Sequence, residues 1–252
     1  MSFRGSTAIV TGGASGIGLG ISERLARDGA KVSVFDLDAE QAERAASAIR
    51  DAGGEAIACA VDISDRSQVD AAVERTRREL GPVLVLVNGA GMDGFTPFME
   101  ITTELWERII AVNLTGTFHC TQSALPDMLE AKWGRIVNIS SSSAQTGAAL
   151  MAHYSSSKGG MIALTKTLAL ELGPRGITVN TIPPGAIDTP MSRRAAAEGR
   201  FGGGTLEDVG RHLPVRRVGT TDDIAAACAY LVSDEAGYVT GQTIGVNGGR
   251  VT

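Results

Sequence analysis

Thr7-Ala8-Ile9-Val10-Thr11-Gly12-Gly13-Ala14-Ser15-Gly16-Ile17-Gly18 runs from a short apolar stretch through a glycine-rich turn into a segment of helical character that reaches residue 28. A strand feeding such a turn and then a helix is the front half of a βαβ unit, and the free N–H groups and positive end of that helix suit a pyrophosphate. The glycines have separate tasks. Gly12 permits the sharp turn, Gly16 lets backbone approach phosphate oxygens, and Gly18 lets the helix lie close to the sheet. The spacing is G-x-x-x-G-x-G, and taken alone it would also serve a plain βα connection.

Outward from the turn, Lys31-Val32-Ser33-Val34-Phe35-Asp36 reads as a second strand that ends on a carboxylate. At the tip of strand two, Asp36 is placed to accept hydrogen bonds from an adenosine ribose and to repel the extra phosphate of NADP, so the expected cofactor is NAD. Helices are expected over 39–52 and 65–80, and a third strand over 55–61, just before Asp62. Val83-Leu84-Val85-Leu86-Val87 has the unbroken apolar character of a central parallel strand and leads into Asn88-Gly89-Ala90-Gly91. Beyond it the pattern predicts helices over 104–112 and 117–132, interrupted at 113–116. A fifth strand over 135–139 runs into the serine run Ser140–Ser143. A long helix over 154–173, a sixth strand over 177–182, a helix over 221–233 and a last strand over 242–246 complete the order. Strand ends rich in small and polar residues gather on one edge, where open α/β sheets bind ligands.

The 252 residues, with 43% hydrophobic and 20% charged residues, suit one large α/β domain. No run approaches a membrane span, and Met1-Ser2-Phe3-Arg4-Gly5 leads straight into the first strand without the pattern of a signal peptide, so a cytoplasmic location is the expectation. The net charge of −5 with dispersed Lys and Arg argues against nucleic acid as a partner. Cys59, Cys120 and Cys228 are scattered and read as core fillers, and His119, His153 and His212 lack ligand spacing, so no metal is expected.

Tyr154 and Lys158 stand four apart, on one helix face. An adjacent ammonium favours phenolate, which would let Tyr154 take a proton from an alcohol or give one to a ketone. Ser141 is placed to donate to the oxygen whose charge changes. Asn113, in the helix interruption, is placed to hold a water that connects Lys158 to solvent.

Thr11-Gly12, Gly16 and Gly18, with Asp36, Asp62, Asn88-Gly89-Ala90-Gly91, Asn113, Ser141, Tyr154, Lys158, Pro184-Gly185, Thr189, Thr240-Gly241-Gln242 and Gly248-Gly249, make the chain resemble the short-chain dehydrogenase/reductase family along its whole length. Ser141 stands at the family's spacing before Tyr154, which singles it out among its neighbours. The resemblance implies a single-domain, doubly wound Rossmann-type sheet of about seven parallel strands with helices on both faces. It also implies an Asn113, Ser141, Tyr154, Lys158 tetrad, with Tyr154 and Lys158 also contacting the cofactor and Lys158 binding the nicotinamide ribose. Asp62 and Asn88 would flank the adenine, and Pro184, Ile187 and Thr189 the nicotinamide. Ser15, Ile17, Leu37, Ile63, Ala90, Gly91 and Gly185 would complete the cofactor contacts. Family members assemble as tetramers or dimers. Gly89 and Pro183 depart from the usual motifs.

The expected activity is interconversion of a secondary alcohol and a ketone by hydride transfer with NAD. The alternatives are an NADPH-dependent 3-oxoacyl thioester reductase, which Asp36 opposes, and a nucleotide-sensing scaffold without turnover, which a complete tetrad opposes. Met92, Phe95, Phe98, Leu150 and Met151 are expected to line an apolar substrate pocket, beneath a lid over about 190–214. The lid arginines Arg193, Arg194, Arg200 and Arg211 read first as a solvated cationic face and second as a hint of an anionic substrate.

Overall fold

Alternate residues of each central strand are apolar on opposite sides, and the two sides are buried in different cores. In a computed structural model that describes residues 5–200 and 204–252, Ala8 and Val10 join one apolar cluster while Ile9, between them, joins the other. Val85 and Val87 divide from Leu86 in the same way. A strand buried on both faces needs a helix layer on each, and that requires parallel strands joined by crossovers. Met1 to Arg4 and the Gly202-Gly203 pair of the expected lid lie outside the described residues.

The order is β1 (Thr7–Thr11), α1 (Gly16–Arg27), β2 (Lys31–Asp36), α2 (Ala39–Asp51), β3 (Glu55–Ala60), α3 (Arg66–Leu80) and β4 (Val83–Asn88). Then follow α4 (Thr103–Ile110), a π-helical turn (Ala111–Thr115), α5 (Gly116–Ala131), β5 (Gly134–Ile139), α6 (Ser143–Thr146), α7 (Ala152–Leu172) and β6 (Ile177–Ile182). The last helices are α8 (Pro190–Ala197), α9 (Leu206–His212) and α10 (Thr221–Val232). The strands form one sheet of order β3-β2-β1-β4-β5-β6, and every pairing is parallel. Helices α1, α2 and α10 cover one face through Ile21, Leu25, Ile49, Ile224 and Cys228. Helices α3, α5 and α7 cover the other through Val69, Val73, Cys120, Met128 and Leu172. Each such fully buried aliphatic side chain contributes about 2 kcal/mol. The chain reverses its winding between β1 and β4, and the crevice at their carboxyl ends is where doubly wound sheets take ligands.

Two expectations change. The sheet has six strands, because 242–246 meets β6 only through the isolated bridges Thr181↔Thr243 and Pro184↔Val246. Gly241 has a φ of +70°, and its N–H is taken by the Val179 carbonyl; the stretch runs beside β6 without forming a continuous ladder. The stretch expected as a lid over about 190–214, for which no helix was expected, includes two among its described residues. Each has a capping box that the reading passed over, Thr189 with Ser192 and Thr205 with Asp208, which satisfies the first free N–H groups.

Candidate active site

The glycine turn has the geometry its residues predict. Gly12 and Gly16 take φ of +64° and +51°, and a Cβ on Gly12 would lie 2.8 Å from Ala90 Cα, so the turn and the end of β4 touch through backbone. A Cβ on Gly18 would run into the Gly12 carbonyl oxygen. Ser15 caps α1 without bonding its side chain to the helix, which leaves the N-terminal N–H groups facing the crevice. Thr11, read from sequence only as the first residue of the glycine motif, also has a bonding role. Its hydroxyl accepts from the Gly89 and Ala90 N–H groups at 3.1 Å each, tying β1 to β4 at the switch point.

A groove of about 930 Å³ runs from this turn across the carboxyl edge, at the upper end of the range for ligand sites. Of the expected cofactor residues, it is lined by Gly12, Ser15, Gly16, Ile17, Gly18, Asp36, Leu37, Asp62, Ile63, Ala90, Gly91, Pro184, Gly185, Ile187 and Thr189. The Asp36 carboxylate accepts from the Ala14 N–H and the Asp38 N–H, both at 3.2 Å, which fixes it beside the glycine turn. The Asp62 carboxyl is held below its ordinary range by the Ser64 hydroxyl, with Arg108 3.6 Å away adding to the effect.

Asn88 does not reach the groove. Its amide donates to Asn138 Oδ1 at 2.8 Å and Thr121 Oγ1 at 3.2 Å, because the strand's alternation turns this position into the polar seam between β4, β5 and α5. Asn113 is likewise fully buried. Its carboxamide takes the Met92 N–H at 2.8 Å and donates to the Met92 carbonyl and the Ser157 hydroxyl, each at 3.0 Å. The side chain therefore fixes the backbone after β4. The π turn makes this possible by rotating Asn113 inward between α4 and α5.

Ser141, Tyr154 and Lys158 converge on the groove. Within the serine run, Ser140, Ser142 and Ser143 are buried while Ser141 is half-buried. The Ser141 hydroxyl lies 2.9 Å from that of Ser143 and accepts the Ser143 N–H at 3.2 Å. The Lys158 ammonium lies 5.9 Å from the Tyr154 ring centroid and donates to the Ile139 carbonyl at 2.9 Å. A Cβ on Gly91 would sit 3.2 Å from both Lys158 Nζ and Asn113 Oδ1, so glycine is what keeps the Lys158 side of the groove open. This fits a bound nucleotide.

The electrostatics differ from the expected cation-driven drop at Tyr154. Burial pushes the phenol above its ordinary value, the Ser141 hydroxyl draws it partly back, and the Asp93 carboxylate pushes it up again. Burial also takes Lys158 down to about 8. Desolvation acts against both charged forms, and at this separation it outweighs their attraction.

The depressed Lys158 has a consequence for stability. Its proton is held more weakly in the folded than in the unfolded chain, so the cost of burying the charge is complete below pH 8 and disappears as pH rises to the ordinary lysine value. Lys158→Met is expected to raise folding stability at pH 7 by about 2 kcal/mol, the roughly 3 kcal/mol of the shift less about 1 kcal/mol for the hydrogen bond lost by the Ile139 carbonyl. The gain fades between about pH 8 and pH 10.5. Urea unfolding midpoints at pH 7 and pH 10 check this; an equal gain at both would refute it.

On the substrate side Met92, Phe95 and Met151 line the groove as expected, joined by Leu206, Val209 and Leu213 from α9 and its end. Phe98 and Leu150 do not, being 71% and 50% exposed on the outer surface. Of the four arginines in this cover, Arg193 pairs with Asp188, Arg211 with Asp208, and Arg200 with Asp93 and Glu198. Arg194 has no carboxylate partner among the described residues.

A family model described as enoyl-(acyl carrier protein) reductase matches residues 12–250. The 3-oxoacyl-[acyl-carrier-protein] reductase FabG of Escherichia coli (strain K12) is 37% identical over 250 residues, 99% of this chain and 98% of that protein. The (2S)-[(R)-hydroxy(phenyl)methyl]succinyl-CoA dehydrogenase subunit BbsD of Thauera aromatica is 38% identical over the same shares. A variant of actinorhodin polyketide ketoreductase, solved with NADPH, superposes with a TM-score of 0.92 at 37% identity, covering 97% of this chain and 96% of that one. With a family model matched over residues 12–250 and relatives 37% to 38% identical along nearly their whole length, the chain belongs to the short-chain dehydrogenase/reductase family of oxidoreductases.

Proposed function

We propose that the protein uses NAD(H) to interconvert a secondary alcohol and a ketone. The observation that carries the reading is the convergence of Tyr154, Ser141 and Lys158 on one groove whose far end is closed by the glycine turn and Asp36. Asp36 bears the nucleotide choice: a carboxylate fixed beside the turn offers acceptors to a ribose diol and meets a 2′-phosphate with like charge. The turn and the start of α1 would hold the pyrophosphate, and Ile187 and Thr189 the nicotinamide end. NAD, when bound, supplies the hydride acceptor.

The chain's own part is proton handling. Tyr154 takes the hydroxyl proton of the alcohol, or returns it to the ketone in reduction. Ser141 donates to the same oxygen as its charge changes. Lys158 would hold the nicotinamide ribose and bias the phenol, and Asn113 keeps the Met92 backbone in place. Met92, Phe95, Met151 and the α9 residues exclude water from the carbinol.

Reduction of a 3-oxoacyl thioester with NADPH is the second reading, supported by what the FabG relative's name says it acts on and by the nucleotide bound to the ketoreductase. Purified protein mixed with NAD or NADP and a panel of cyclic, acyclic and acyl-thioester alcohols, followed by absorbance of the reduced nucleotide, separates the two. No turnover with any pair would favour a nucleotide-sensing scaffold. Asp36→Ala is expected to lower the preference for NAD over NADP about 10- to 100-fold, the worth of its charge-assisted hydrogen bonds to ribose. An unchanged ratio of kcat/KM values would overturn the assignment of Asp36. Assembly as a homotetramer or homodimer belongs to the same reading, supported by Trp106, Phe118 and Leu170 standing exposed on α4, α5 and α7; light scattering tests it.

A further inference from the structure

The nucleotide end of the groove is walled by Leu37, Ile63 and Val112 and edged by Asp62 and Arg108. The wall at Ile63 is rigid: a Cβ on Gly116 of α5 would lie 2.7 Å from its side chain, and the His119 ring nitrogen Nδ1 lies 3.1 Å from its carbonyl oxygen. Leu37 is 67% exposed, a large apolar side chain that a ligand in the groove would cover. Asp62 is fixed in direction. Its N–H donates to Gln68 Oε1 at 3.0 Å, and its Oδ1 accepts the Ser64 N–H at 2.9 Å and the Ser64 hydroxyl at 2.6 Å. Oδ2 faces Arg108 at 3.6 Å, longer than a formed hydrogen bond. Arg108 has a nearer candidate in the chain. Glu104 stands one turn before it on α4, in the orientation that favours a helix ion pair, yet the guanidinium extends across to Asp62. The Arg108 and Asp62 side chains are 48% and 25% exposed, and an ion pair that wet adds little to folding. Its position suits a ligand better than the fold.

We propose that Arg108 is a binding residue for the purine of the nucleotide, its planar cation packing on the base beside Asp62. This rests on the reading that the groove takes NAD. A guanidinium is flat, delocalised and weakly hydrated, and it is attracted to the face of an aromatic ring. The walls around it are apolar, as a base requires, and Oδ2 of Asp62 is an acceptor for a base that carries an amino group. The separation of 3.6 Å matters to the argument. The two groups are close enough to keep each other at the rim of the groove, and far enough apart that neither uses up its hydrogen-bonding capacity on the other. Both remain available to a ligand, and Arg108 meets it directly and not only by way of Asp62.

Isothermal titration calorimetry with ADP-ribose and with reduced nicotinamide mononucleotide (NMNH) reads this without turnover, because the first ligand carries the adenine and the second lacks it. Arg108→Ala is expected to weaken ADP-ribose about three- to tenfold, the worth of a half-exposed cation over a ring. Binding of NMNH and the urea midpoint should stay within about 1.5-fold and within about 5% of the parent. Arg108→Lys, which keeps the charge and loses the plane, should recover only part of the affinity. In an Asp62→Asn background the Arg108→Ala penalty should persist to within about twofold. A penalty that vanishes there would mean that Arg108 acts only by orienting Asp62, and would overturn the proposal. So would an equal loss for NMNH, which marks either long-range attraction to phosphate or a structural role, and so would full rescue by Arg108→Lys or unchanged affinity for ADP-ribose in Arg108→Ala. A parent protein that binds neither NADH nor ADP-ribose would strike the nucleotide reading itself, and this proposal with it.

Discussion

Tyr154→Phe is expected to lower alcohol oxidation about 10³-fold while leaving the affinity for NADH within about threefold of the parent, since positioned proton transfer contributes 10²- to 10⁴-fold. The rate falls because the side chains that converge with the phenol do not replace it as a base. The nearby serines are far weaker bases, Lys158 points its ammonium at the Ile139 carbonyl, and the His153 ring is buried against Gly94. Affinity survives because Lys158 bonds to strand backbone and not to the phenol, so removing the hydroxyl leaves the cation for the nicotinamide ribose in place. The sign of the pH dependence follows from the raised phenol. Oxidation needs phenolate and should climb toward alkaline pH, whereas reduction needs the protonated form and should be level through neutrality. Steady-state absorbance of NADH with an alcohol the parent oxidises, beside a fluorescence titration of NADH binding, checks both parts. An undiminished rate in a variant that still binds NADH sinks the mechanism; a collapse in binding would mean that the residue is structural.

Where local pattern and tertiary need coincide, the residues announce their structure. Val83–Val87 can only be a doubly covered strand, and the turn from Gly12 to Gly18 has no steric alternative to its path. Tyr154 and Lys158 share a groove wall because helical spacing requires it. What eluded the sequence depends on a partner distant in the chain. Whether Asn88 faces a ligand or a neighbouring strand is decided by Asn138 and Thr121, and no local signal reports that. The stretch over 242–246 has strand composition, yet its pairing is settled by how Gly241 turns against Val179. Burial also inverted the expected charge coupling of Tyr154 and Lys158: spacing gives proximity, but desolvation depends on the layers packed above. The two short helices of the cover were legible in principle. Thr189-Pro190 with Ser192, and Thr205 with Asp208, carry the cap signals of a helix start.

Gly18→Ala should damage the fold itself, and its comparison with Gly16→Ala separates stability from binding. The methyl group added at residue 18 would meet the Gly12 carbonyl oxygen and carbon, which are backbone atoms of a turn already held to Ala90 and, through Thr11, to β4. No side-chain rotation relieves such a contact, so either α1 lifts from the sheet or the turn deforms. Overpacking of this kind costs about 3 kcal/mol, and deformation of the turn should weaken NADH binding at least about 10-fold by misaligning the N–H groups. At residue 16 the added methyl group would find the Thr189 side chain at an ordinary 3.5 Å. The positive φ of 51° there costs an alanine about 1 kcal/mol. Its larger effect is on the phosphate side of the groove, where the methyl occupies the approach that the glycine leaves open. Urea midpoints are therefore expected to fall much further for Gly18→Ala than for Gly16→Ala, while fluorescence titration shows both to be poor NADH binders. If Gly16→Ala binds NADH as the parent does, the pyrophosphate does not lie on this turn; if Gly18→Ala keeps the parental midpoint, helix and turn are not packed through that glycine.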